Sequence, residues 1–235
     1  MGLLLFAPSE LEDGLISYWE GGSVRDRMHN NLLTVGVDAP TFASTGGKGQ
    51  GKATYAAHAY LTRVHASCVR IDFALRSFTV AAWVNSTALP GTGGQLIIGK
   101  GGTTTAVPGF RVRLYAPGGG VTRATANIVD NDTTSFAVNG TSDLSGWAHI
   151  AVVVNRSSNT IKLYVNKVLE ATTSIAAATS VSGTSDLLLG LTGDGGDAQP
   201  LGFIGAMSGI GIWRRALSQN SLNSLYNRGS GLRGF

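Results

Sequence analysis

The residues able to do chemistry are few and stand apart. The run Gly46 to Ala53, GGKGQGKA, approaches the phosphate-cradling pattern G-x-x-x-x-G-K-[ST], where the residue after the lysine brings a hydroxyl to Mg²⁺. Ala53 has no hydroxyl and no apolar strand leads into the loop, so the run reads as a turn before a strand. His29, His58, His65 and His149 form no H-x-H or H-E-x-x-H pair, and His149 reads as a satisfied strand position. Ser208, in Gly205-Ala206-Met207-Ser208-Gly209, lacks the G-x-S-x-G spacing of a nucleophile elbow. Cys68 is the single cysteine, which excludes an intrachain disulfide and reads as a small buried hydrophobe.

Acids are placed for turns more than for catalysis. A retaining glycosidase needs two carboxylates about 5 Å apart, which on one strand means positions i and i+2 or i+4. The runs Phe78–Val84, Phe110–Tyr115 and Trp147–Val154 contain no acid, and Glu170 stands alone in its segment with a solvated face as its expected setting. Hard cations want several oxygens from closely spaced acids. The candidates are Asp194-Gly195-Gly196-Asp197 and Asp130-Asn131-Asp132, against the Asx turns that such residues form without metal. Any Ca²⁺ is expected at Asp194 and Asp197; no other cofactor is expected. Arg111, Arg113 and Tyr115 alternate with Phe110, Val112 and Leu114, so they share the outward side of one strand and form the expected contact surface for a glycan or protein partner.

The elements that must position these groups are strands. Ser77 to Asn85, SFTVAAWVN, carries no charge and is apolar or small on both sides, as a central strand covered on both faces requires. Trp147–Asn155 is a second buried run with Trp147 expected in the core. Thr160–Asn166 and Val168–Ser174 form a hairpin about Asn166-Lys167. Further strands are expected at Gly14–Glu20, Leu32–Val37, Ala53–Val64, Leu96–Gly99, Arg123–Val129, Leu187–Leu191 and Phe203–Trp213. One helix follows, with Ser218 as N-cap, a stripe of Leu222, Leu225 and Tyr226, and Gly229 as its stop. Many short strands with glycine-rich turns and one short C-terminal helix predict an all-β, two-sheet antiparallel β-sandwich of jelly-roll type. Residues 1–13 are expected to form an N-terminal arm and 14–235 one domain.

Composition narrows the partners. Of 235 residues only 14% are charged, and the net charge of +4 is scattered, with Arg214-Arg215 the one adjacent basic pair. Nucleic acid is therefore not an expected partner. No apolar run approaches membrane-spanning length, and no membrane partner is expected. The opening MGLLLFAPSELEDG lacks the positive region and the long apolar stretch of a signal peptide, and Phe6 stands where N-myristoylation needs Ser or Thr.

Four stretches in order carry a resemblance: GLISYW, SFTVAAWV, GWAHIAVVVNRSSNTIKLYVNKVLEATT and FIGAMSGIGIWRRALSQNSLNSLYN. Together they resemble the laminin-G-like, concanavalin A-like lectin-glucanase jelly-roll superfamily from about residue 14 to 227. The resemblance implies two packed antiparallel sheets, one of them concave, with loops that often bind glycans or Ca²⁺. Three positions depart from the family pattern: Lys167 replaces a turn glycine, Ser208 and Gly209 replace an Asp-Glu pair, and Ser221 replaces a helix-cap glutamate. The missing acids move any expected Ca²⁺ away from the last strand. Without an export signal or disulfide, such a domain is expected to be a non-catalytic structural protein of a phage or virus. It would be made in the host cytoplasm and carried on the virion as a capsid decoration or fibre-associated protein. Its arm would dock on a virion or capsid protein or on a second copy, a trimer among the options, with glycan binding alongside. The alternative is a free-standing extracellular carbohydrate-binding module; a glycoside hydrolase is disfavoured by the acid-free strands.

Overall fold

A computed structural model describes residues 9–28, 31–48, 51–91, 94–101, 107–191 and 202–227. Helix α1 (Ser9–Glu12) precedes strands β1 (Leu15–Trp19), β2 (Thr34–Val35), β3 (Thr41–Ala43), β4 (Lys52–Tyr55) and β5 (Leu61–Arg63). Two 3-10 turns, His65–Ser67 and Val69–Ile71, lead to β6 (Phe78–Ser86), β7 (Gln95–Lys100), β8 (Gly109–Tyr115) and β9 (Arg123–Val129). Then come β10 (Ser135–Asn139), β11 (Ala148–Asn155), β12 (Thr160–Val165), β13 (Val168–Ser174), β14 (Leu187–Leu189), β15 (Gly205–Trp213) and helix α2 (Gln219–Tyr226).

The strands form two antiparallel sheets, as the sequence predicts. One has the order β13-β12-β11-β6-β15-β4-β3, with β1 also paired to β15; the other has the order β10-β9-β8-β7-β14-β5-β2. Strand β6 lies between β11 and β15, and Phe78 through Val84 are all buried. Period-two alternation explains why one strand serves two cores. Phe78, Val80, Ala82 and Val84 join Ile150, Val152, Val154, Phe110, Val112 and Leu114 between the sheets. Ala81, Ala151, Val153, Tyr164 and Trp213 face the other way and pack under Leu222 and Leu225 of α2. The Ser218 hydroxyl caps α2 by accepting from the Ser221 amide at 3.1 Å.

Several expectations are corrected. Ala53–Val64 is not one strand: a turn with His58 at φ 71° splits it into β4 and β5, which belong to different sheets. Helix α2 stops at Asn227, left-handed at φ 42°; Gly229 lies outside the described residues. Trp147 is half-buried because it precedes β11 and points away from the inter-sheet core, with the parity of His149; the fully buried tryptophans are Trp19 and Trp213. Of the expected arm, residues 1–8 lie outside the described residues; within 9–13 the Leu11 carbonyl accepts from Trp213 Nε1 at 2.7 Å.

These burials set a mutational contrast. Trp213→Ala is expected to cost about 3–5 kcal/mol, as for large core truncations, and Trp147→Ala less than about 2 kcal/mol. Urea melts of the two variants should differ accordingly; equal losses would contradict the packing described.

Candidate functional site

The outer side of the second sheet brings the sequence-predicted contact residues together. Alternation in β8 sends Phe110, Val112 and Leu114 into the core and Arg111, Arg113 and Tyr115 to the other side. The ladder extends this into rows. Gly99, Arg111, Asn127 and Ala137 stand opposite one another, as do Leu96, Arg113, Thr125 and Asn139, and Tyr115 faces Arg123. A bulge between Leu96 and Ile98 turns Leu96 onto this face. A Cβ on Gly99 would lie 3.1 Å from Arg111 Cγ and 3.2 Å from Leu96 Cδ1, so the bare glycine leaves room for the arginine stem.

This face is polar yet largely withdrawn from water. Arg111 and Asn127 are each 4% exposed and Thr125 is also buried, while Arg113 and Tyr115 are half-buried. Arg111 is thus outward in parity but not exposed. Thr125 Oγ1 donates to Asn139 Oδ1 at 2.6 Å, Asn127 Nδ2 to Ser135 Oγ at 3.2 Å, and the Tyr115 hydroxyl to the Gly140 carbonyl at 3.3 Å. Asn127 Oδ1 is buried and finds no hydrogen-bond partner among the described residues. Burial pulls the Arg113 guanidinium below its ordinary pKa. Strands β7 to β10 contain no carboxylate. The acids at the rim are engaged: Asp143 accepts from Arg123 Nε at 2.8 Å, and Glu170 Oε2 accepts the amides of Thr141 and Ser142 at 2.8 and 3.2 Å. Glu170, expected on a solvated face, fixes the loop after β10. Sequence reasoning missed Thr125, Asn127 and Asn139, although the alternation of Arg123, Thr125 and Asn127 with Ala124, Ala126 and Ile128 is a legible signal.

The other candidates resolve into structural roles. Asp194 and Asp197 lie outside the described residues, and no group of three or more potential metal-binding side chains occurs among those described. Asp130 is an Asx turn: Oδ1 accepts the amides of Asp132 and Thr134, and Oδ2 that of Thr179 at 3.0 Å. Burial raises its pKa, but these hydrogen bonds together outweigh burial and hold it below the usual value. Cys68 is buried, and burial raises its thiol pKa. Ser208 is fully buried, with its hydroxyl 2.7 Å from the Gly51 carbonyl, 3.0 Å from that of Lys48 and 3.1 Å from that of Glu20. The glycine-rich loop is thereby tied to the last strand.

His149 is buried beneath α2, its ring 5.1 Å from Trp83 and 6.3 Å from Tyr226, while Lys48 and Lys167 stand over the Trp83 and Tyr226 rings. Its Nδ1 finds no partner among the described residues, and burial lowers its pKa to about 4. The family-divergent Lys167 adopts φ 68° in the hairpin turn, the region glycine prefers.

Two antiparallel sheets about one core, one outer face closed by a helix and the other presenting polar side chains, define a two-layer β-sandwich. The chain belongs to the concanavalin A-like lectin/glucanases superfamily: the laminin G family model so described matches residues 51–223. No curated protein sequence matches it. Among solved structures it is similar to the binding domain of Paraclostridial Mosquitocidal Protein 1 (15% identity, TM-score 0.69, 93% of this chain and 53% of that one). It is also similar to the botulinum neurotoxin serotype D ligand binding domain in complex with N-acetylneuraminic acid (13% identity, TM-score 0.65, 92% and 51%). Domain 4 of an extracellular GH43 arabinanase from Geobacillus stearothermophilus, in complex with arabinotriose, is a third (15% identity, TM-score 0.60, 89% and 96%). The chain spans about half the length of the toxin domains and nearly the whole of the arabinanase domain.

Burial of His149 predicts an acid weakness. An unfolded histidine titrates near 6.5, whereas folded His149 stays neutral down to about 4. Between these values the unfolded state takes up a proton that the folded state refuses, so stability falls as pH drops through the window and levels off below it. The loss attributable to His149 is about 3 kcal/mol, and His149→Gln should flatten that part of the stability–pH curve. Denaturant melts of both proteins across the window measure the difference; parallel curves would refute it.

Proposed function

We propose that this chain is a non-catalytic glycan-binding module that holds an oligosaccharide on the outer face of the second sheet. The observation that carries this reading is the row of buried polar side chains there, with Asn127 Oδ1 lacking a partner among the described residues. Buried polar groups are nearly always hydrogen-bonded, and a sugar hydroxyl supplies the donor this acceptor needs. Arg111 and Arg113, in a strand without carboxylates, add guanidinium N–H groups that can donate to sugar oxygens. The absence of carboxylates from β7–β10 opposes acid–base cleavage there. The glycan-bound neighbours, one with N-acetylneuraminic acid and one with arabinotriose, support a fold suited to sugars.

Glycan-array screening of the intact chain tests the reading, with Asn127→Ala and Arg113→Ala alongside. Each substitution is expected to weaken binding roughly 10- to 100-fold, the worth of one hydrogen bond to a charged or buried group. No glycan bound, or binding unchanged in both variants, would refute it.

A second reading, assembly on a larger particle such as a virion or with a second copy, is favoured by one side of the sandwich. At one side the sheets are joined by Thr173 Oγ1 donating to the Ala137 carbonyl at 2.8 Å. The opposite edge strands, β2 and β3, carry Val35 and Phe42 exposed, with Leu32 nearby and Val37 at 92% exposure. Open edges with exposed apolar residues are templates for pairing. Light scattering should show an oligomer that Val35→Lys with Val37→Lys dissolves. A monomer, together with absence of the chain from purified particles by mass spectrometry, would end this reading.

A further inference from the structure

We infer that a groove at one end of the sandwich is a further subsite, taking an uncharged sugar residue of the oligosaccharide held on the second sheet. This subsite rests on the glycan reading and extends it past the end of the sheet. The groove has a volume of about 420 Å³, at the small end of ligand-sized clefts, which run from roughly 300 to 1,000 Å³. It lies between the end of β6 with the residues that follow, the β8–β9 hairpin, and the loop that joins β10 to β11. Leu89, Val121, Thr122, Asp143, Leu144 and Ser145 supply its chemistry.

Paired side chains make the groove continuous with the candidate face. Tyr115 stands opposite Arg123 in the ladder, and Arg123 Nε donates at 2.8 Å to Asp143, which lines the groove. The Tyr115 hydroxyl donates to the Gly140 carbonyl, where the loop after β10 begins. Both walls are braced. On one side the Leu144 amide donates to the Thr122 carbonyl at 2.7 Å, tying loop to hairpin. On the other, the Ser86 hydroxyl stands 2.8 Å from the Ala88 carbonyl, and Gln95 Nε2 donates to that carbonyl at 3.2 Å, just before Leu89.

The group that needs a ligand is Thr122. Alternation sends Arg123 outward and Thr122 inward, to the place where the core ends and the groove begins. Thr122 is only 8% exposed, yet its hydroxyl finds no hydrogen-bond partner among the described residues. Buried hydroxyls are rarely left in that state. Leu89, by contrast, is 57% exposed and Val121 is half-buried, so apolar surface stands in the same groove. A sugar ring answers both features. Its hydroxyls pair with Thr122, Ser145 and the Asp143 carboxylate, while its C–H face covers Leu89 and Val121. A wholly apolar ligand would leave Thr122 unpaired. Asp143 is the one charged residue lining the groove, so a sugar bearing a carboxylate, sulfate or phosphate is repelled there.

The test is calorimetric titration of the intact chain with cello-, xylo- and malto-oligosaccharides of increasing length. Affinity is expected to rise about tenfold when the chain grows by the residue that reaches the groove, the worth of one hydrogen bond, and then to level off. Thr122→Val drops the hydroxyl and should remove this gain while the shorter sugars bind as before. Leu89→Asn, at an exposed position, should also reduce the gain, and so should a uronic acid at the end of the sugar chain. Asn127→Ala, on the face, should weaken every length alike. The subsite is overturned, with the face reading intact, if affinity is independent of length. It is equally overturned if Thr122→Val leaves the gain in place or weakens all lengths equally. Should Thr122→Val fail to fold, Leu89→Asn decides by the same criteria. If no oligosaccharide of any length binds, the face reading and the subsite fall together.

Discussion

The sandwich depends on how β15 shares one of its edges. One side of this strand pairs with β6 along most of its length, while the other pairs with β4 at Gly205–Met207 and with β1 at Ile210–Trp213. Two strands distant in sequence thus meet end to end on a third, and the ladder breaks between them at Ser208 and Gly209. Such a break buries backbone carbonyls without ladder partners, each costing about 1–3 kcal/mol if left unmet. The Ser208 hydroxyl stands among three of them, and Gly209 at φ 55° lets the backbone turn through the bulge. One proton cannot serve three acceptors at once; it serves the Gly51 carbonyl at the shortest distance while the 3.5 Å contact from the Gly209 amide supports that of Glu20. The first strand, the glycine loop and the last strand are fixed by this one junction, and a Cβ on Gly47 would lie 1.9 Å from the Gly51 carbonyl.

The junction explains which parts of the fold were legible in sequence. Long strands buried on one or both faces carry their alternation openly, so β6, β8, β11, β12 and β15 emerge close to their bounds. Strands β3 and β10 do not, because Thr41–Ala43 and Ser135–Asn139 are largely exposed edges whose pairing is set by distant partners. The split between β4 and β5 was hidden because His58, not glycine or proline, takes the left-handed turn. Trp147 misled through composition: a large aromatic beside a valine run suggests core, but its parity with His149 turns it the other way.

The candidate face was half legible for the same reason. Alternation alone assigned Arg111, Arg113 and Tyr115 to one side of β8, and the structure keeps them there. What alternation could not give was depth. Whether an outward arginine is solvated depends on its neighbours across the sheet, here Gly99 without a side chain and Asn127 opposite. Nor could it give the rim, where Glu170 of β13 reaches the loop after β10. Those contacts join residues about 30 apart in sequence and leave no local pattern.

The two outer faces of the sandwich then differ in a way that bears on function. Helix α2 covers the first sheet and makes its outer side a second apolar core, with Trp213 and Leu222 fully buried. A ligand there would have to displace the helix, at the cost of re-exposing Leu222 and Leu225, each worth about 1.5–3 kcal/mol when buried. The second sheet has no helix over it among the described elements, and its outer side chains can make hydrogen bonds. Its polar groups already carry most of their desolvation cost, since Arg111, Thr125 and Asn127 are buried within the chain itself. A sugar docking on that face would complete hydrogen bonds more than it would strip water, and this preorganisation is what weak, hydroxyl-rich ligands require of a binding surface.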